Sequence, residues 1–336
     1  MSQKVYFTTS LTPNIIMHVF SCLEIEGSFY NSDYGMKHHF TLADDDYANW
    51  KEQAKKCMTL GCNAELYAVL FQLPSYIPAD DIDMVVDCYE KIIEAVEKGS
   101  IDSLITSYPE VFDYLEVYAP LTVFDGHFKR LNEHKEIIIN IIRIFQNILR
   151  GLWDRFYKNH WENTVKRELE DQVKKLNVII SPINIISTWQ KKLNLEFPYP
   201  EFTAILVEPT STIATNLVAE KIIVASNQED VMLYKILVHE IGRSFLLNTK
   251  LFEHEKLKII AQSNLDRLSL IVDAACIFIK KQLYKTFKMR DDDIDPYITP
   301  EITELLKIFQ VVWDTSDDKD IYQAIAATYD KLAPVL

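Results

Sequence analysis

Apolar positions recur at helical spacing through the first part of the chain and give way to the denser pattern of strands just after residue 197. The chain opens on a short run at 5–8 that predicts a strand. A helix follows whose first turn holds Pro13, where the missing N–H costs nothing. Ile16, Phe20 and Leu23 keep one face of that helix apolar. Acids open the segment 44–58, as suits the positive end of a helix; 64–73 is apolar, 80–97 amphipathic and 109–118 short. From Gly126 to about residue 175 the spacing is helical, with Gly151 the expected break. Ile138, Ile141, Ile142, Phe145, Ile148, Leu149 and Leu152 form its core-facing stripe. Ser181 and Pro182 open a further helix to about Leu193.

Pro198 and Pro200 end the helical texture, because proline cannot donate the backbone bond a helix interior needs. Runs rich in branched residues at 202–207 and 217–225 predict two strands. Ser226 and Glu229 have the spacing of a capping box, each able to satisfy the other's free N–H. A helix is therefore expected to begin near Asn227 and to run through Val231, Tyr234, Leu237, Val238, Ile241 and Phe245. The pattern adds up to a mainly α protein with a small β-sheet, of α+β class. Its expected parts are a helical region over 1–195 and a region over 196–336 that holds the sheet and the His239 helix.

Composition narrows the function classes. The chain has 336 residues, 48% of them hydrophobic, which is enough for a full core and argues against disorder. Thirty-five Lys and Arg stand against 49 Asp and Glu, a net charge of −14. Nucleic acid and anionic lipid both call for a positive field, so neither is an expected partner. The most apolar stretches, 137–149 and 268–279, are interrupted by Arg143, Gln146 and Asp273 and fall short of the ~20 residues a membrane helix needs. The first residues lack a signal-peptide core, and a cytoplasmic location is expected. The seven glycines form neither a dinucleotide fingerprint nor a P-loop. Cys22, Cys57, Cys62, Cys88 and Cys276 are too few and scattered for a disulfide framework and are expected as small buried side chains.

The chemistry-bearing motif is Val238-His239-Glu240-Ile241-Gly242-Arg243 on the expected helix. A zincin uses H-E-x-x-H: positions i and i+4 share a face, two imidazoles grip one zinc ion, and the Glu takes a proton from the bound water. Here the second His is replaced by Arg243, whose guanidinium stays charged and is a very poor ligand for a cation. The residues leave three readings open. His239 is a core histidine bonded to a neighbour; Glu240 and Arg243 form an ion pair on one helix face; or Arg243 stands where a zinc ion would be.

The order of elements, together with Ser10-Leu11-Thr12-Pro13-Asn14 through Phe29-Tyr30-Asn31 and the segment 216–245, resembles a family of uncharacterised bacterial zincin-like proteins regarded as metallopeptidases. The resemblance implies a zincin-like C-terminal region, a metal at His239 and a general base at Glu240, with Arg243 the site-altering departure. A third ligand would come from a downstream helix expected at 264–283. Asp266 and Asp273 are seven apart and share a face there, and His254 and Glu255 are further candidates. The leading expectation is a degenerate zincin-like protein without hydrolytic zinc, Glu240 being a vestigial general base. It would act as a binding or regulatory protein for a peptide or protein partner, with an edge strand available for strand addition. In that reading no cofactor is expected. Two alternatives stand beside it: an active zinc metallopeptidase using His239 with Asp266 or Asp273, and a helical structural or interaction protein.

Other groups carry less. Adjacent His38 and His39 point apart and are expected at the surface. Ser103, Ser107 and Ser244 sit in no nucleophile elbow. The acidic run 291–295 lacks the Gly and terminal Glu of an EF-hand loop and is expected as a solvated loop.

Overall fold

Strands and helices from both ends of the chain interleave. A computed structural model describes residues 3–25, 31–60, 70–77, 79, 81–109, 111, 121–211, 213–218, 220–247, 251, 253–290 and 295–332. Residues 7–177 and 203–228 form one unit, and residues 1–6, 178–202 and 229–336 another. The chain does not divide at 195/196 as expected: residues 203–228, which carry most of the sheet, fold with the N-terminal helices. The protein is mainly helical with a small sheet, as the periodicity indicates.

In the N-terminal unit, strand β1 (Lys4–Thr8) leads into helix α1 (Leu11–Cys22), which is buried on every side rather than on one face. Two of its polar residues are matched by the backbone after β2: Asn14 Oδ1 accepts the Glu208 N–H at 3.0 Å and Ser21 Oγ donates to the Pro209 carbonyl at 3.1 Å. Helix α2 (Ser32–His38) is capped by Asn31, which accepts from the Tyr34 N–H. It crosses α1 at Gly35, where a Cβ would stand 2.2 Å from the Ser21 carbonyl oxygen. Helices α3 (Asp44–Thr59) and α4 (Ile82–Lys98), the latter ended by Gly99 at φ 63°, pack against the long helix α7 introduced below. The short α5 (Asp102–Ser107) and α6 (Leu121–Asn132) flank α4. Of the expected segment 64–73, residues 64–69 lie outside the described residues, as do nearly all of 109–118 and the position Cys62.

Helix α7 (Lys135–Leu152) buries its whole predicted stripe. It does not break at Gly151. The backbone passes instead through π-helical turns at Trp153–Tyr157 and Trp161–Val165 and continues as α8 (Lys166–Ile180). The remaining strands are β2 (Glu201–Val207), β3 (Thr215–Val218) and β4 (Lys221–Ala225), in sheet order β1-β2-β4-β3. β2 runs parallel to β4, Ala204 opposite Ile222, while β3 runs antiparallel to β4. The single strand expected at 217–225 is therefore two, because the chain reverses at the buried Glu220. Each edge strand carries a side-chain contact at one residue: Asn177 exchanges two hydrogen bonds with the backbone of Phe7, and Tyr76 OH donates to the Thr215 carbonyl.

The C-terminal unit is built of α9 (Ile185–Leu193), α10 (Asp230–Leu246), α11 (Glu255–Gln282), α12 (Pro300–Thr315) and α13 (Ile321–Leu332). α10 starts three residues later than the capping box implies, with Glu229 at the N-cap and no side-chain cap bond; Asp230 supplies the first-turn acid instead. α11 packs against α10, α12 and α13. Asn264 is non-helical inside α11 and its side chain accepts the Arg267 N–H, so it caps the helix that the sequence places from 264. Gly242 lets Trp189 lie against α10: a Cβ there would meet the indole at 2.4 Å. The indole N–H donates to the Val238 carbonyl at 3.1 Å. Among the described residues no helix is long and apolar enough to cross a membrane.

Candidate functional site

The motif sits at the centre of α10, whose interior positions are nearly all buried, so each polar side chain there needs a partner. His239 is 0% exposed. Its Nε2 faces Asp273 Oδ1 at 3.4 Å, its Nδ1 faces Lys280 Nζ at 3.4 Å, and its ring stacks on Tyr297 with centroids 3.6 Å apart. One turn on, Arg243 Nε donates to the same Asp273 oxygen at 3.0 Å and Nη2 to Ser269 Oγ at 2.6 Å. The Asp273 carboxylate thus bridges the imidazole and the guanidinium.

Glu240 does not pair with Arg243. It accepts a 2.5 Å hydrogen bond from Tyr297 OH, while Arg243 turns to α11. Lys280, 1% exposed, forms an ion pair with Asp295 at 2.7 Å. Asp295 is therefore a buried counter-ion rather than part of a solvated loop, and 291–294 lie outside the described residues.

The electrostatics follow from this packing. Burial lowers the His239 pKa and the Lys280 ammonium lowers it further, against the opposing pull of Asp273 and Glu240. Burial pushes the Asp273 carboxyl up, but Arg243 and His239 outweigh it and hold the group below the usual carboxylate range. Asp295 is held low in the same way by Lys280. Burial and the neighbouring Glu240 push the Tyr297 phenol well up, so it stays a hydrogen-bond donor.

These residues do not fit a hydrolytic zinc ion. The i+4 position carries a cation, the Asp273 carboxylate that faces His239 is already bonded to that cation, and a second cation faces the other ring nitrogen. Of the proposed third ligands, Asp273 is brought to the site and Asp266 is exposed elsewhere on α11. Glu255 is also exposed, and neither it nor His254 bonds to His239. Among the described residues no three His, Cys, Asp or Glu side chains are drawn together around a point that could hold a metal ion.

Sequence reasoning missed Tyr297 and Lys280, which approach from segments far along the chain, and missed a second cluster altogether. His38 is not at the surface: it is 7% exposed and lies beside His18, 0% exposed, and His160. Positions 18, 38 and 160 share no spacing that would announce a site.

Comparison with protein-family models, with curated proteins and with solved structures gives no match to any of them.

Proposed function

We propose that this protein is a zincin-like relative that has exchanged a hydrolytic zinc for a fixed guanidinium, and that it works by binding a peptide or protein partner rather than by cutting one. The bridge from His239 through Asp273 to Arg243 carries the reading. A zinc peptidase needs an open coordination position and a carboxylate free to take a proton from water. Here Arg243 fills the position of the second imidazole and Tyr297 closes the Glu240 carboxylate.

The Arg243→His variant tests the reading. It supplies an imidazole at i+4 beside His239 and Asp273 and removes the opposing charge. The variant is expected to gain zinc affinity, read by calorimetry, and to lose that gain when His239→Ala is added. The parent is expected to leave peptide substrates uncut with zinc added. A folded Arg243→His protein with no gain, or a parent whose hydrolysis is abolished by Glu240→Gln, overturns it.

A further inference from the structure

The N-terminal unit carries its own assembly of metal-ligating side chains, formed at a backbone irregularity. The two π-helical turns, Trp153–Tyr157 and Trp161–Val165, bracket Lys158–His160. π-turns inside long helices are rare and recur at functional sites, since each extra residue re-aims the side chains that follow. Here they present His160 to α2 and to the end of β2. His160 Nε2 is 3.7 Å from Glu208 Oε2, and its ring centre is 5.8 Å from that of His38. His38 is buried with neither ring nitrogen hydrogen-bonded, and His160 Nε2 likewise has no hydrogen-bond partner. Three buried imidazole nitrogens without a hydrogen-bond partner are costly unless something else satisfies them.

The surroundings hold the carboxylate in place. His18 has both nitrogens engaged, Nδ1 with Tyr34 OH at 2.9 Å and Nε2 with Thr41 Oγ1 at 3.1 Å. The Tyr34 hydroxyl donates to Glu208 Oε2 at 3.4 Å. With that proton committed, it accepts from His18 Nδ1–H, and the Thr41 hydroxyl donates to Nε2. Such a relay behind a ligand orients it and fixes its charge state. The imidazole nitrogens are buried, while the Glu208 side chain keeps 35% of its exposure and forms the solvent side of the cluster.

We propose that His38, His160 and Glu208 bind a divalent metal ion of the zinc type. Two N or O ligands at 2.0–2.2 Å from one tetrahedral ion stand about 3.3–3.5 Å apart, and two imidazoles on it have ring centres about 5 Å apart. The observed 3.7 and 5.8 Å exceed these by less than about 1 Å. The three groups are not drawn in around a common point here, so binding requires His38 to turn from its stack on Tyr34, 4.2 Å between ring centres, with no hydrogen bond on its ring to break. Imidazole and carboxylate together favour zinc over magnesium or calcium, which prefer oxygen alone. The proposal is independent of the reading of the His239 helix.

The test is titration of the full-length, chelator-stripped protein with cobalt(II), followed by its visible absorption, and with zinc, followed by calorimetry. One ion per chain is expected, with the cobalt spectrum of a tetrahedral site. His160→Gln and Glu208→Gln, at partly exposed positions, are expected to weaken binding at least about tenfold with unchanged circular dichroism, and His239→Ala to leave it intact. His38→Ala is expected to do the same as His160→Gln if it folds; if it does not, the other two variants decide. Absence of binding by the parent, or binding that survives His160→Gln and Glu208→Gln, overturns the proposal. Binding lost only on His239→Ala overturns it and the reading of the His239 helix together.

Discussion

At the scale of single residues, the site is a chain of charges in which each member's removal strands the next. Arg243→Ala leaves Asp273 without its strongest partner. Breaking one side of a buried pair costs ~3–5 kcal/mol, and the low end applies because Arg243 and Asp273 side chains keep 20% and 17% of their exposure. Chemical denaturation of Arg243→Ala is expected to show a loss of about 3 kcal/mol; a loss within about 0.5 kcal/mol would place the pair effectively in solvent. Tyr297→Phe removes the donor to Glu240 and is expected to cost about 1–3 kcal/mol by the same measurement. His239, Glu240 and Arg243 were legible because they lie on one helix at known spacing. Asp273 was legible as one of two helical alternatives on one face; Asp266 lies two turns, about 10 Å, nearer the start of that helix, away from the level of His239 and Arg243. Tyr297 had no local signal, since ring stacking leaves no periodicity, whereas Lys280 stands seven residues after Asp273 on the same helix, a spacing that places both on one face and could have found it.

Elements are where the periodicity reads best and where backbone detail escapes it. The stripe of α7 is buried as its spacing requires, because an amphipathic helix has one face to hide. The π-turns beyond Gly151 escape, since the stretch 153–165 is largely polar and carries no continuous apolar stripe on which the re-phasing could be read. The split of 217–225 into β3 and β4 escapes for a related reason: branched residues mark strand but not where a strand reverses. Gly242, inside the motif, has a packing cause rather than a catalytic one. Gly242→Ala would drive a methyl into Trp189 and Cys276, so overpacking of at least ~1–3 kcal/mol is expected from its melting midpoint, with the Trp189 fluorescence shifted. An unchanged midpoint would mean that the indole is not held against α10.

For the whole molecule, the fold class follows from pattern alone, but the division into units does not. A strand pair late in the sequence folds with early helices, and nothing in composition marks such a crossing. Acid stability also belongs to this scale. His239 takes up a proton less readily folded than unfolded, so its contribution is fully present above the unfolded pKa of about 6.5 and is lost as pH falls below it. Asp273 and Asp295 are held low, so theirs persists until pH falls below about 3.9. Melting midpoints from pH 8 to 5 are therefore expected to decline below about 6.5, and less steeply in His239→Gln; equal slopes would mean that His239 protonates freely in the folded state. The central claim is that the His239 helix holds a charge network in place of a metal. Elemental analysis of the purified parent beside His239→Ala tests it most directly. The account predicts the same zinc content in both proteins, whatever that content is. One zinc per chain in the parent that disappears on His239→Ala would contradict it.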